Sequence, residues 1–461
     1  MAMIQIPEKW DGEADVIVVG GGNSGLPAAM VAHDKGARVM VLEVSTGMAS
    51  SLAMIAGGTP FAGTDFQKNL GIEDSGDAMY EEAVETSGGD PELWRSICDN
   101  QLATYNWLKS IGAKPAMKLL APGHKVMRSM RFEGHGVGLC QVMQKAARTK
   151  NLDIRYKHRA ERLIFDAEKR RVIGVRAKHD NQVLNFKANK AVVLATGGFI
   201  KNDALLKEFG PEYANLMHSS PPTHMGDGLV MALDVGAATS GIGLSVCPSM
   251  SGCIETNKAL TMGGFGGISV NRHAKRWGTE MILPPLSYNM TFKALLRDDP
   301  EGVHYYIFDQ GVKDAIPPAP HHEKVYSAPT VEELATILGL DPASLRETID
   351  EWNDNIEKYG YDKKFGRTIQ GMANMKEPPK KLDKPPYYGI RCRVCLTSMK
   401  GGLKINGKTQ VVDQLGQVIP GLYAAGEIAG GLVGKPAAYY TGAMTLSAFT
   451  EGYIAGTNAA Q

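Results

Sequence analysis

Four apolar residues, Val16-Ile17-Val18-Val19, run straight into Gly20-Gly21-Gly22-Asn23-Ser24-Gly25. An apolar strand that stops at a glycine cluster and reopens as a helix is the first half of a βαβ unit. The glycines permit a tight turn and let backbone amides approach a phosphate, and the helix N-terminus behind them favours negative charge. The pattern predicts a strand over 15–19, a helix over 26–35 and a second strand over 37–42. That strand ends in Glu43, 18 residues past Gly25, where a carboxylate is placed to accept hydrogen bonds from the hydroxyls of an adenosine ribose. A glycine cluster alone is a weak signal. Strand, loop, helix, strand and acid in register make Gly20, Gly22, Asn23, Ser24, Gly25 and Glu43 candidate ligands of a dinucleotide.

Some 400 residues later stands Gly421-Leu422-Tyr423-Ala424-Ala425-Gly426-Glu427. In combination with the first loop it points to a flavin, FAD, held by a domain built from both ends of the chain. Intermediate segments fit the same cofactor. Residues 49–64 are small and glycine-rich, and Ser51, Gly57 and Gly58 suit backbone lying under a flat ring. The apolar run 191–194 ends in Ala195-Thr196-Gly197-Gly198, a turn at the carboxyl end of a strand, where α/β sheets bind ligands. Asp227 stands in Met225-Gly226-Asp227-Gly228 ahead of a further helix. With Gly426 and Glu427, the late residues Thr445 and Leu446 complete the candidate cofactor set. Residues 237–384 differ in character, with short strands, Pro- and His-rich turns and two helices (331–338, 342–359). The expected fold is α/β: a discontinuous Rossmann-type FAD-binding domain (12–236 and 385–461) with an inserted α+β capping domain (237–384).

Composition excludes several classes. The 461 residues carry 50 Lys+Arg against 49 Asp+Glu, so no global field recruits nucleic acid or an anionic membrane. No apolar run approaches the roughly 18 residues of a membrane span, and residues 1–15 lack the layout of a signal peptide. A cytoplasmic enzyme is expected. Six cysteines form no disulfide framework. Cys392-Arg-Val-Cys395 has redox spacing but sits in an extended stretch, whereas a redox pair opens a helix; these read as structural thiols, and no second pair supplies a metal site.

Taken together, Gly20–Gly25, Glu43, 59–74 (TPFAGTDFQKNLGIED), 195–199 (ATGGF), 225–228 (MGDG), 268–280 (ISVNRHAKRWGTE) and 419–427 (IPGLYAAGE) resemble the FAD-dependent fumarate reductase and 3-ketosteroid dehydrogenase family, in its order and over nearly the whole chain. The resemblance implies an active site between flavin domain and cap. There a hydride passes between the flavin and one carbon of a C–C bond while a protein group moves a proton at its neighbour. The fumarate branch clamps a dianion with a His before a Met-Gly-Gly turn and an Arg in the closing segment. Here Ser398-Met399-Lys400-Gly401-Gly402 has Ser in place of that His, and no Arg follows Arg393. Lys400 or Lys435 could replace part of that clamp, but lysine is a point charge rather than a bidentate fork.

Tyr440-Thr441-Gly442-Ala443-Met444-Thr445-Leu446 resembles the closing segment of the ketosteroid branch. That likeness implies that the Tyr440 hydroxyl and the Met444 amide hold a substrate ketone oxygen, although Met444 stands where that branch has Gly. Core packing and stacking beside the flavin compete for Tyr440. Arg276 matches the position implied as proton donor in the fumarate branch; an ion pair with Glu280 is the alternative. Tyr288 lies near the tyrosine base of the ketosteroid branch, and His273 and His224 are lesser candidates. The loop at 49–53 has no His for covalent attachment, so noncovalent FAD is expected.

The expected reaction reduces or desaturates a C–C bond of an apolar, ring-containing substrate, such as a ketosteroid or an isoflavonoid-type phenolic, with the reductive sense favoured. Reduction of a small unsaturated acid (fumarate, urocanate, acrylate) and reductive dehydroxylation of an isoflavonoid-type ring are the alternatives, and an electron-shuttling subunit is a third class. The electron donor or acceptor is unidentified.

Overall fold

The computed structural model describes all residues except 1–5, 48–49, 55–57, 120, 122, 245–249, 261–263, 281–287, 318–320, 322, 372–376 and 436–439. The chain forms two compact units: 1–211, 220–246 and 398–461 make the first, and 212–219 with 247–397 make the second.

The first unit is built on an eight-stranded sheet. Strand Gly12–Val19 lies between Gln182–Leu194 and Val39–Glu43, parallel to both, with Val16 opposite Val39 and Val19 opposite Leu194. Val418–Ala424, from the far end of the sequence, extends the sheet in parallel, and Ala424 pairs with Leu194. Asp153–Tyr156 completes the other side. Strands covered on both faces read as unbroken apolar runs; Val16 to Val18 and Val192 to Leu194 are fully buried. Helices Gly25–Asp34 and Ala443–Ala459 pack on this core. A hairpin, His158–Asp166 with Arg171–His179, adds antiparallel pairing along Gln182–Leu194.

The second unit centres on strand Tyr387–Leu396, which pairs with Val303–Asp309 and Met250–Cys253. Helices Val331–Leu338 and Pro342–Tyr359 supply Leu334, Leu338, Leu345, Ile349 and Trp352 to its core. The boundary expected at residue 384 therefore moves: Tyr387–Leu396 belongs to the second unit's sheet, because its pairing partners lie there. Residues 237–246, expected in the cap, fall in the first unit, where Thr239–Ser240 pairs with Gly402–Leu403. Cys392 and Cys395 lie buried on this strand, and burial pushes the Cys392 thiol well up, the opposite of an activated cysteine. Among the described residues no helix is long and apolar enough to cross a membrane.

Candidate functional site: a dinucleotide cradle and a buried tyrosine cluster

The glycine loop sits where the parallel strands end. Gly20 adopts φ +104°, and a Cβ there would stand 2.4 Å from the Ala195 carbonyl oxygen. A Cβ on Gly25 would stand 1.8 Å from the Gly20 carbonyl oxygen, so only glycine lets the helix start this close to the loop. Glu43 is buried at the end of its strand. Its Oε2 accepts from the Gly21 amide at 2.7 Å, and its Oε1 accepts from the Ser45 amide and hydroxyl at 2.8 and 2.7 Å. Glu43 thus braces the loop and still has lone pairs for a ribose. Asn23 Oδ1 accepts from Ser50 at 3.2 Å, and Ser51 opens a short 3-10 turn. Gly57 lies outside the described residues; Gly58 precedes the short strand Thr59–Pro60.

The Ala195–Gly198 turn, adjacent to the glycine loop, gathers polar atoms that lack partners. Thr196 Oγ1, His224 Nδ1 and Glu427 Oε1 are buried and have no hydrogen-bond partner among the described residues. Buried polar groups are rarely left so. A ligand rich in hydroxyl and phosphate oxygens supplies what they lack, so the residues present fit FAD. Asp227, also expected here, has both carboxylate oxygens held by Arg159 at 2.9 and 2.7 Å, and lone pairs remain on each. Thr445 and Leu446 lie buried in the first turn of Ala443–Ala459, with Met444 before them.

Tyr440, two residues before that helix's N-cap Gly442, is fully buried. Its hydroxyl accepts from Arg128 Nη1 at 2.6 Å and donates to Glu82 Oε1 at 3.0 Å. Arg128 is itself buried and forks onto Asp74 at 2.8 and 2.6 Å, and it also reaches Glu82. Trp94 meets the Tyr440 ring edge-on at 5.5 Å, and His124 lies 4.5 Å away with its Nε2 against the Thr441 carbonyl. Burial raises the Tyr440 pKa against the opposing pull of the Arg128 cation, so the phenol keeps its proton. That single proton is engaged with Glu82, and donation to a substrate ketone requires that bond to be given up. Sequence reasoning missed Arg128 and Glu82 altogether. Asp74 was within a quoted motif, but nothing local links it to residues 54 and 366 positions away.

In the second unit, Arg276 makes the ion pair weighed above. Its Nε and Nη2 bond both oxygens of Glu280 at 2.7 Å, and Nη2 also reaches Asp362 at 2.8 Å. The guanidinium stacks on Trp352 and Phe365. Arg367 joins Glu280 at 3.2 Å and donates to the Gly267 carbonyl. Burial opposes the Arg276 charge, but Glu280 and Asp362 outweigh it and raise its pKa, so this Arg holds its proton tightly. Tyr288 begins helix Tyr288–Asp298. His273 lies on an exposed turn after Asn271.

The chain matches the FAD binding domain family over residues 15–438. It is 31% identical to a fumarate reductase (cytochrome) of Shewanella frigidimarina, covering 97% of this chain and 77% of that protein. It is 30% identical to a urocanate reductase of Eggerthella lenta, covering 100% and 76%. A vinyl phenol reductase of Lactiplantibacillus plantarum is 27% identical, covering 97% and 96%. Among solved structures, the open conformation of a flavocytochrome c3 fumarate reductase superposes with a TM-score of 0.85 at 27% identity over 98% of this chain and 78% of that one. A 3-ketosteroid delta1-dehydrogenase of Sterolibacterium denitrificans, at 19% identity, TM-score 0.84 and 97% and 99% coverage, shares the fold. The placement nearer to the ketosteroid branch is not what these likenesses establish, since reductases of small unsaturated molecules are the nearer by identity. The chain belongs to the FAD binding domain family and is a FAD-dependent oxidoreductase.

Proposed function

We propose that this protein reduces an activated C=C bond in a ring-bearing substrate whose alkene is conjugated to a carbonyl or a phenol. FAD, when bound, supplies the hydride. The carrying observation is the charge state of the closing segment. Tyr440 stands there, and the guanidinium that reaches it, Arg128, is neutralised by Asp74 and Glu82. A dianionic substrate approaching this segment meets a carboxylate-bearing cluster rather than a guanidinium fork. Arg276 is likewise paired, with Glu280 and Asp362.

In this reading the Met444 amide, in the first turn of Ala443–Ala459, is the donor to the substrate oxygen, since first-turn amides have no intrahelical acceptor. Tyr440 is a positioning residue: the Arg128–Glu82 bonds lock its ring and fix where the helix begins. FAD is held noncovalently, and the reductive direction is favoured. The vinyl phenol reductase, a relative matched along almost its full length, supports a ring-bearing substrate.

A second reading is a small unsaturated acid. The fumarate and urocanate reductases at 31% and 30% identity favour it, with Lys400, a buried ammonium bonded to Ser398, as its cation. Anaerobic reoxidation of the dithionite-reduced flavin separates the two. Enones, vinyl phenols and isoflavonoid ketones should restore the oxidised spectrum, whereas fumarate, urocanate and acrylate should not. Reoxidation by the small acids alone overturns the proposal and assigns the anion to Lys400.

A further inference from the structure

The pair His224 and Glu427 lies in the first unit beside the Ala195–Gly198 turn. A Cβ on Gly197 would stand 2.6 Å from His224 Nε2, and one on Gly198 would stand 2.5 Å from Glu427 Oε1. Two consecutive glycines therefore make room for two polar side chains at the edge of the dinucleotide cradle. Both side chains are mostly buried, at 8% and 13% exposure, and His224 Nδ1 is 3.4 Å from Glu427 Oε2. That distance is within ionic reach, yet Nδ1 makes no aligned hydrogen bond, and Glu427 Oε1 has no partner among the described residues. The backbone on either side is fixed: the His224 amide donates to Pro221 and its carbonyl accepts from Lys201.

One donor-capable nitrogen and one acceptor oxygen, side by side, buried and unsatisfied, call for a group that both donates and accepts. A hydroxyl does this. A phosphate has no proton to give and is repelled by Glu427. FAD carries hydroxyls on its ribityl chain and on its adenosine ribose. We infer that His224 is a cofactor-positioning residue, donating from Nδ1 to the oxygen of a FAD hydroxyl that in turn donates a hydrogen bond to Glu427 Oε1. Fixing that hydroxyl fixes the cofactor along its length, and hence where its ring lies.

The test is FAD binding by the full-length protein, stripped of flavin and reconstituted. Dissociation constants are read by flavin fluorescence for wild type, His224→Phe and His224→Asn. Phe keeps the ring volume against Gly197 and removes the donor, whereas Asn restores a donor. The probes are FAD, FAD analogues lacking single ribityl hydroxyls, and FAD with 2′-deoxyribose at the adenosine. The lost hydrogen bond should weaken FAD binding by His224→Phe about tenfold, and Asn should recover most of it. One analogue should cost the wild type a similar factor and cost His224→Phe nothing further. Its identity assigns the clamp to the ribityl or the ribose end. The inference falls if His224→Phe binds FAD as tightly as wild type, or if every analogue penalises variant and wild type alike. Should His224→Phe not fold, the imidazole 15N resonances of wild-type His224 decide. They should shift on adding FAD and shift less with the discriminating analogue; no shift overturns the inference.

Discussion

At the scale of single residues, the buried tyrosine cluster shows how one contact changes a role. Tyr440 was legible as a site candidate from the resemblance of its segment to that of the ketosteroid branch. Its actual surroundings were not, because Arg128, Asp74 and Glu82 come from three other segments, between 312 and 366 positions away. Burying a guanidinium and two carboxylates is tolerated only when each is paired, and removing one partner leaves an uncompensated charge. Tyr440→Phe deletes one acceptor of Arg128 and one donor to Glu82. It should cost about 1–3 kcal/mol of stability in urea denaturation while lowering kcat less than about tenfold. A drop of about 10²–10³ in kcat, the cost of losing a direct oxyanion donor, would instead make the hydroxyl a catalytic group. Arg276 teaches the same lesson: i,i+4 spacing announced Glu280, whereas Asp362 is brought in by the fold alone.

At the scale of elements, the closing helix is the informative case. It runs from Ala443 to Ala459. Nearly all its residues are buried, so it lacks the one-sided apolar stripe by which a surface helix is recognised. One of those buried residues is Glu451, whose carboxylate accepts from the Gly426 amide at 2.8 Å. Burial pushes its pKa up to about 8, with the Gly426 bond opposing. The folded protein therefore keeps a proton that the unfolded chain releases near pH 4.5, and it binds more protons than the unfolded state between those values. Stability should fall as pH rises from about 5 to about 8. Glu451→Gln, which imitates the neutral acid, should flatten that slope and be the more stable protein at pH 8, on the order of 2 kcal/mol or more. Equal slopes for both proteins in urea titrations across this range would show that Glu451 ionises freely. Its position also matters for the cofactor, since Gly426 borders Glu427 and a Cβ there would stand 2.6 Å from Ser24 Oγ in the glycine loop.

At the scale of the whole molecule, each of the two compact units has a core among the described residues, and the dinucleotide cradle is confined to the first. A ligand that binds only the folded state stabilises it by mass action, about 2.7 kcal/mol at a hundredfold excess over Kd. Calorimetry should resolve two transitions. Removing FAD should lower the one belonging to the Rossmann-type core and leave the other in place. A common shift of both would mean that the two units unfold as one. Much of this architecture could be read in advance. The parallel strands announce themselves as apolar runs, and the glycine loop, Glu43 and the late Gly426-Glu427 segment carry their chemistry in their spacing. The two ends of the chain were also legible as one domain, because each supplies half of the same cofactor's needs. Local steric and electrostatic rules act within a few residues, and these features are local.

What the tertiary structure alone decided is pairing between distant segments. It moved Tyr387–Leu396 into the second unit, because a strand's sheet is set by its hydrogen-bonding neighbours and not by its own composition. It tied the Tyr440 hydroxyl to Arg128 and Glu82, and it set His224 against Glu427 over two glycines. For the strand and for Tyr440, buried polar groups are paired with partners that lie far away in sequence. The sequence by itself determined the glycine loop between strand and helix, the class of cofactor and the α/β architecture, because those follow from short-range backbone geometry. Which charges are neutralised around the closing segment followed only once the chain had folded.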